Sequence, residues 1–97
     1  MNKIEFKDLL INLDEKICFI KEEEIRLTKL EFNLLVFLIS TPNKVFSRKE
    51  IMNEVWGEDV KVTLRAVDTT VSRLRKKLQH LGHHINTRPG FGYSWKE

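Results

Sequence analysis

The sequence is poor in the features that mark disulfide-rich or membrane proteins. Cys18 is the only cysteine among 97 residues, so an internal disulfide is excluded and a reducing compartment is favoured. No signal peptide is evident, and the richest apolar stretch, residues 30–39, is roughly half as long as a membrane span needs. We therefore expect a soluble, cytoplasmic protein that has no membrane partner.

Patterns typical of enzymes and metal sites are also missing. No nucleophile–base pair is evident, and no glycine-rich loop precedes a basic helix. A metal site drawn from His80, His83 and His84 is disfavoured, because Gly82 interrupts the helix that would align them. We expect no catalytic activity, no cofactor and no metal.

The length and the charge distribution suggest one domain with a basic C-terminal third. The chain is 41% apolar, carries no repeat or linker, and is expected to fold as a single domain over residues 1–97. Residues 61–97 hold eight basic and two acidic side chains, whereas residues 1–27 carry a net charge of −2. This asymmetry is expected of a chain that binds a polyanion, and a solvated basic surface without a partner is the alternative.

Residues 3–27 are expected to form short antiparallel strands. Ile17 and Phe19, and less regularly Ile25 and Leu27, recur at period two, while residues 12–16 and 21–24 have turn composition. The pattern predicts a small sheet with one exposed face.

A first helix is predicted over residues 28–40. Thr28 and Glu31 form a capping box, and Pro42 follows the C-terminal end. Its apolar residues lie on both sides, so we expect it to be buried between the sheet and the rest of the chain.

Two more helices follow. Ser47 and Glu50 form a second capping box, and Gly57 ends that helix. Thr63 is expected to cap a third helix that runs to about Leu81. Its predicted buried stripe consists of Leu64, Val67, Val71, Leu74, Leu78 and Leu81.

The opposite face of the third helix is polar and cationic. At about 100° per residue, Asp68 and Arg75 flank a group formed by Arg65, Thr69, Ser72, Arg73 and Lys76. An arginine in the major groove can bind guanine, and a threonine methyl group can contact thymine. This face predicts DNA binding, with an ordinary solvated amphipathic helix as the alternative.

The C-terminal segment predicts a hairpin with strands at residues 84–88 and 91–95. Residues 88–91 (RPGF) suit a type II turn, and Arg88 beside this slim tip can reach DNA. By alternation Phe91, Tyr93 and Trp95 share one face, most simply as core, although the Tyr93 hydroxyl can point to a phosphate. An aromatic platform for single-stranded bases is the alternative.

Six blocks along the chain resemble the C-terminal effector domain of OmpR/PhoB-family response regulators. They occur in the family's order and spacing at residues 27–35 (LTKLEFNLL), 45–51 (VFSRKEI), 55–57 (VWG), 65–68 (RAVD), 73–78 (RLRKKL) and 90–93 (GFGY). The resemblance implies an α+β winged helix-turn-helix fold: an N-terminal four-stranded antiparallel sheet, a three-helix core and a C-terminal β-hairpin wing. It implies a two-component transcriptional regulator that binds double-stranded DNA, with the recognition helix at about residues 64–81 and the wing at residues 84–95.

The helical face and the resemblance together give the expected site residues. The expected base-reading residues are Asp68, Thr69, Ser72 and Arg73. The expected backbone contacts are Trp56, Arg65, Arg75, Lys76, Thr87, Arg88 and Tyr93. The resemblance further implies that the loop at residues 57–63 meets RNA polymerase, through Glu58, Asp59, Val60 and Lys61.

Two positions depart from the family pattern, and one family domain is missing. Pro89 stands where relatives often carry arginine before the wing glycine, and Ser72 stands where many have a basic residue. These changes put minor-groove insertion in doubt and predict a different base preference. The receiver domain through which a sensor kinase would act is not in this sequence; we expect an excised domain, and a protein that acts without phosphorylation is the alternative. The isolated domain is expected to be monomeric, and the resemblance implies that it binds tandem half-sites about one DNA turn apart. The competing hypothesis is a winged-helix module that contacts RNA polymerase or a partner regulator.

Overall fold

The computed structural model describes residues 2–97, and its N-terminal third is a four-stranded sheet. The antiparallel strands lie side by side in chain order: β1 (Lys3–Phe6), β2 (Leu9–Asn12), β3 (Ile17–Ile20) and β4 (Glu23–Ile25). One face packs into the core through Leu9 and Ile11 of β2. This confirms the predicted sheet, in which one face is buried and the other is more exposed to solvent.

The period-two pattern predicted that Ile17 and Phe19 form the buried face of β3, and this prediction is wrong. Cys18 and Ile20 are buried, whereas Ile17 and Phe19 are only half-buried on the other face. All four residues of β3 are apolar, so its own periodicity does not choose a face. Pairing does, because Cys18 lies opposite the buried Ile11.

The first helix, α1 (Lys29–Ile39), begins and ends where it was predicted. Thr28 donates its backbone N–H to Glu31 Oε1 over 2.8 Å, and Glu31 donates its own to Thr28 Oγ1 over 3.2 Å. Leu34, Leu35 and Leu38 are fully buried. The helix packs against the second and third helical segments and the last strand, and it shares one core with the sheet.

The second helical segment also follows its prediction. Helix α2 (Arg48–Ile51) starts with reciprocal bonds between Ser47 and Glu50, and a π-helical turn (Met52–Trp56) carries it to Gly57. Ile51 and Met52 are buried.

The third helix is shorter than predicted at its C-terminal end. Helix α3 (Arg65–Lys77) gives way to a 3₁₀ segment (Gln79–His84), because Gln79 has a left-handed φ of 56° that ends the α-helical bonding. The predicted Thr63 cap is also wrong, since Leu64 occupies the N-cap position and no side chain caps the helix there. Leu64 is 36% exposed and is not part of the buried stripe.

The C-terminal hairpin consists of β5 (Ile85–Arg88) and β6 (Gly92–Trp95). The predicted type II turn is present: Phe91 donates to the Arg88 carbonyl over 2.9 Å, and Gly90 has a φ of 84°. His84 belongs to the 3₁₀ segment and not to the predicted strand. Beyond the turn, Tyr93 exchanges backbone hydrogen bonds with Phe46, which ties the hairpin to the start of α2.

Candidate nucleic-acid interface

Helix α3 presents the predicted polar face to solvent. Its inner side is anchored by Val67, Val71 and Leu74, each fully buried. The outward residues are all exposed and follow one another along the helix: Arg65, Thr69, Ser72, Arg73 and Lys76. Because all five are exposed, their side chains are accessible to a ligand.

The Thr69 hydroxyl is partly committed within the helix. Its Oγ1 donates to the Arg65 carbonyl over 3.2 Å, and this bond uses its single proton. The methyl group and the oxygen lone pairs remain available to a ligand. Thr69 can therefore offer an apolar contact or an acceptor, but donates only by giving up this bond.

Lys77 belongs to the protein's own packing. Its Nζ lies 2.7 Å from Oε1 of Glu31, which is almost fully buried at the start of α1. Burial opposes ionisation of Glu31, but the hydrogen bonds from Lys77 and Thr28 outweigh it and lower the pKa of this carboxyl. The pair joins α1 to α3 and leaves Arg73 and Lys76 as the solvent-exposed cations of this turn.

Asp68 is held between the hairpin and α2. Its Oδ1 accepts a 2.6 Å hydrogen bond from the Tyr93 hydroxyl, and its Oδ2 lies 3.1 Å from Nη1 of Arg48. Burial and the Asp68 carboxylate together raise the pKa of Tyr93 to about 12. Asp68 and Tyr93 were predicted to contact a base and a phosphate, and the structure pairs them with each other.

Arg75 forms a second link between α3 and the hairpin. Its Nε and Nη2 donate to the Ile85 carbonyl over 3.0 and 2.7 Å, and Nη2 also donates to Thr87 Oγ1 over 2.6 Å. Its guanidinium carbon lies 5.7 Å from the centre of the Tyr93 ring, within cation–π range. Arg75 and Thr87, both expected at phosphates, therefore bind each other in this structure.

A crevice separates the hairpin tip from the first turns of α2 and α3. Arg88 lines it from the hairpin, and Arg48 and Lys49 line it from α2. All three are exposed. Arg48 and Lys49 were not among the predicted site residues. Both stand in the first turn after the Ser47 cap. Side chains of an α-helix tilt toward its N-terminal end, so cations at this position were a signal that sequence reasoning could have used.

Trp56 and the following loop lie at the C-terminal end of the α2 segment. Trp56 is half-buried and packs against the core. Glu58, Asp59, Val60 and Lys61 are exposed in the connection to α3. The structure thus leaves this loop accessible but does not join it to the polar face through any hydrogen bond or ion pair among residues 2–97.

The remaining candidate groups have structural partners. His80 Nε2 lies 2.9 Å from Asp8 Oδ2, and His84 Nδ1 lies 2.8 Å from the Lys96 carbonyl.

Burial raises the pKa of the Cys18 thiol to about 11. Within residues 2–97, no group of three potential ligands is placed to hold a metal ion, and no helix is long and apolar enough to cross a bilayer.

Known proteins share both the sequence and the fold of this chain. The family of the C-terminal part of transcriptional regulatory proteins matches residues 22–95. The transcriptional regulatory protein SrrA of Staphylococcus aureus is 42% identical over 96% of this chain, which corresponds to 40% of SrrA. The chain thus spans about two fifths of the length of such curated relatives.

Two solved structures illustrate the similarity of fold. The DNA-binding domain of the response regulator AdeR, in complex with an intercistronic region, is 32% identical with a TM-score of 0.85, covering 97% of this chain and 99% of that one. DrrB of Thermotoga maritima, an OmpR/PhoB homologue, is 32% identical with a TM-score of 0.88, covering 98% of this chain and 44% of that one. The α+β winged helix-turn-helix architecture expected from the sequence is confirmed. By sequence and by fold, the chain belongs to the family of C-terminal domains of OmpR/PhoB-type transcriptional regulatory proteins.

Proposed function

We propose that this domain binds double-stranded DNA in a sequence-specific manner, with α3 in the major groove and the hairpin on the neighbouring backbone or minor groove. The observation that carries the proposal is the polar face of α3, where Arg65, Arg73 and Lys76 are exposed while the opposite face is buried in the core. A major groove about 12 Å wide accommodates a helix of this kind. The AdeR domain, whose fold this chain shares, is described in complex with an intercistronic region.

The exposed face divides into base-reading and phosphate-binding residues. Arg73 is long enough to bind a guanine edge, while Thr69 and Ser72 are short and let the backbone approach the bases. Arg65, Lys76 and Arg88 are exposed cations suited to phosphates. Arg48 and Lys49, which line the crevice with Arg88, are suited to the same contact. Asp68 and Tyr93, together with Arg75 and Thr87, act in this proposal mainly by holding the wing on α3. Thr87 is exposed and accepts the bond from Arg75, so its own hydroxyl proton stays available to a phosphate while that bond is intact.

The test is selection of bound sequences from a random duplex pool, followed by titration of the selected duplex. Arg73→Ala is expected to cost about 1–3 kcal/mol and to relax selection at one base pair. Lys76→Ala should weaken all duplexes nearly equally and reduce the salt slope by about one. Lys3→Ala, which removes an exposed lysine from the N-terminal sheet, is the matched control and should bind as the wild type does.

A protein contact is the second candidate function, and the exposed valines of the loop favour it. Val60 and Val62 are 37% and 49% exposed between α2 and α3, next to Glu58, Asp59 and Lys61. Apolar side chains in an exposed loop suit a protein surface such as that of RNA polymerase. A Val62→Ser variant should then keep its DNA affinity but lose activation in a reconstituted transcription reaction. Salt-insensitive association with protein in the absence of any DNA binding would favour this second function over the first.

The roles of the whole protein are further proposals. We propose that the domain works in the cytoplasm within a two-component response regulator, in which a sensor kinase acts through a receiver domain. We also propose that the isolated domain is monomeric and binds tandem half-sites about one DNA turn apart. Sedimentation of the free domain and of its complexes with duplexes carrying one or two half-sites tests both statements.

A further inference from the structure

The tip of the hairpin carries an apolar ring that the core does not use. Phe91 is 69% exposed, although alternation along the strand predicted it inside together with Tyr93 and Trp95. The type II turn is the reason, since Phe91 is its last residue and lies outside β6. A phenylalanine so exposed forgoes most of the roughly 1.5–3 kcal/mol that burial of its side chain provides.

The backbone around this ring is firmly held. Gly92 has a φ of 143°, and a Cβ there would overlap the Phe46 carbonyl oxygen, so the strand lies directly against the segment that precedes α2. Tyr93 and Phe46 exchange two backbone hydrogen bonds of 2.8 and 3.0 Å. Phe91 therefore projects from a fixed support, and little conformational entropy is lost when it binds a partner.

The surroundings of the ring combine apolar and cationic groups. Phe91 lines the crevice with Leu64 of the α3 cap, which is 36% exposed, and a neighbouring hollow with Val45, which is 38% exposed. Arg88 borders both, and Arg48 borders the first. The acidic groups at these linings have partners, since Asp68 is paired with Arg48 and Glu50 is bonded to Ser47 in the capping box. A DNA strand alternates apolar deoxyribose edges with anionic phosphates, and this surface offers both kinds of contact.

We infer that Phe91 packs against the deoxyribose edges that wall the minor groove, next to the major groove that α3 occupies. The inference rests on the proposed function and assigns the chemistry of the wing contact. Pro89 and Gly90 are the two central residues of the turn, so its tip carries no cation, and Arg88 is the first residue of the turn. The contact at the tip is therefore apolar, and it responds to groove width, which is smallest in A·T-rich DNA, more than to salt.

The test compares Phe91→Ala, Phe91→Leu and Arg88→Ala on the duplex selected by the wild-type chain. Hydroxyl-radical cleavage, which reports access to deoxyribose hydrogens, should show a minor-groove protection that disappears in Phe91→Ala and persists in Phe91→Leu. Phe91→Ala should lose about tenfold in affinity with an unchanged salt slope. Arg88→Ala should instead lower the slope by about one.

Groove identity is tested by base substitution under the protected position. Replacing G·C by inosine·C removes the minor-groove amino group and leaves the major-groove edge as it was. The wild type should bind A·T and inosine·C duplexes better than G·C duplexes, and Phe91→Ala should bind all three alike. Thermal unfolding of each variant shows whether the hairpin is still folded.

Two results overturn the inference. The first is that Phe91→Ala keeps the wild-type affinity and footprint while Arg73→Ala still weakens binding, which leaves the proposed function standing. The second is that neither the wild type nor any variant binds duplex DNA in a salt-dependent manner, in which case the proposed function fails as well.

Discussion

Removing the Tyr93 hydroxyl tests whether the hairpin is locked to α3 by the bond to Asp68. Tyr93→Phe deletes a 2.6 Å hydrogen bond to a carboxylate and leaves the ring in place. Hydrogen bonds to charged groups contribute about 1.5–3 kcal/mol, and the lower end applies because the Asp68 side chain is 39% exposed and water replaces part of the bond. We expect a loss of about 1.5 kcal/mol in the free energy of unfolding, or about 6–12 °C in melting temperature.

The Arg48→Ala variant provides the comparison. Arg48 also binds Asp68, but the two side chains are 47% and 39% exposed, and such surface ion pairs contribute about 0–1 kcal/mol. Tyr93→Phe should therefore destabilise more than Arg48→Ala in urea unfolding. In a double-mutant cycle with Asp68→Asn, the effect of Tyr93→Phe should shrink, since the two residues share the bond.

A spectroscopic titration follows the same bond directly, because Tyr93 is the only tyrosine in the chain. Absorbance at the tyrosinate band should titrate near pH 12 in the folded protein, since burial and the Asp68 carboxylate raise the pKa of Tyr93 to about 12. A raised folded pKa means that this contribution to stability is complete below about pH 10, the value in unfolded chains, and is lost as the pH rises through 12. Asp68→Asn should move the midpoint downward.

The reasoning is refuted by one clear pattern. If Tyr93→Phe unfolds like the wild type, titrations give an ordinary tyrosine pKa, and yet DNA affinity falls, the hydroxyl serves DNA and not the hairpin lock. The role of Tyr93 at a phosphate, expected from the sequence, would then be the better account.

Three further perturbations follow from the structure. Glu31→Gln should make stability less dependent on pH in acid. The lowered pKa of Glu31 means that its bond to Lys77 stabilises the fold above the ordinary carboxyl pKa, and that this stability is lost as the pH falls through the folded value. An equal loss of stability in wild type and variant as the pH falls below the ordinary carboxyl pKa would contradict this. Gly92→Ala should destabilise by about 2–4 kcal/mol through overlap and a positive φ, whereas Gly90→Ala, with open space around it, should cost only about 1 kcal/mol in the same urea unfolding experiment. Cys18 should resist iodoacetamide near neutral pH until the chain unfolds, because burial raises its pKa to about 11; rapid labelling detected by mass spectrometry in the folded state would show otherwise.

Local signals in the sequence were sufficient to place most elements. The capping boxes at Thr28 and Ser47 form as predicted, because each needs only residues three positions apart. The hairpin turn at residues 88–91 forms for the same reason, since proline and glycine set its backbone angles directly. The exposed face of α3 was also predictable, because helical periodicity separates Arg73 from the buried Leu74.

Tertiary structure decided which of the polar residues remain free. Asp68 and Tyr93 are 25 positions apart, and Arg75 and Thr87 are 12 apart, so no local pattern shows that they bind each other. The same holds for β3, where pairing with β2 chooses the buried face, and for Phe91, which the turn leaves outside the strand. Periodicity predicts on which face of a helix or strand a residue lies. Long-range packing determines which other residues contact that face, because only the folded chain brings those partners together.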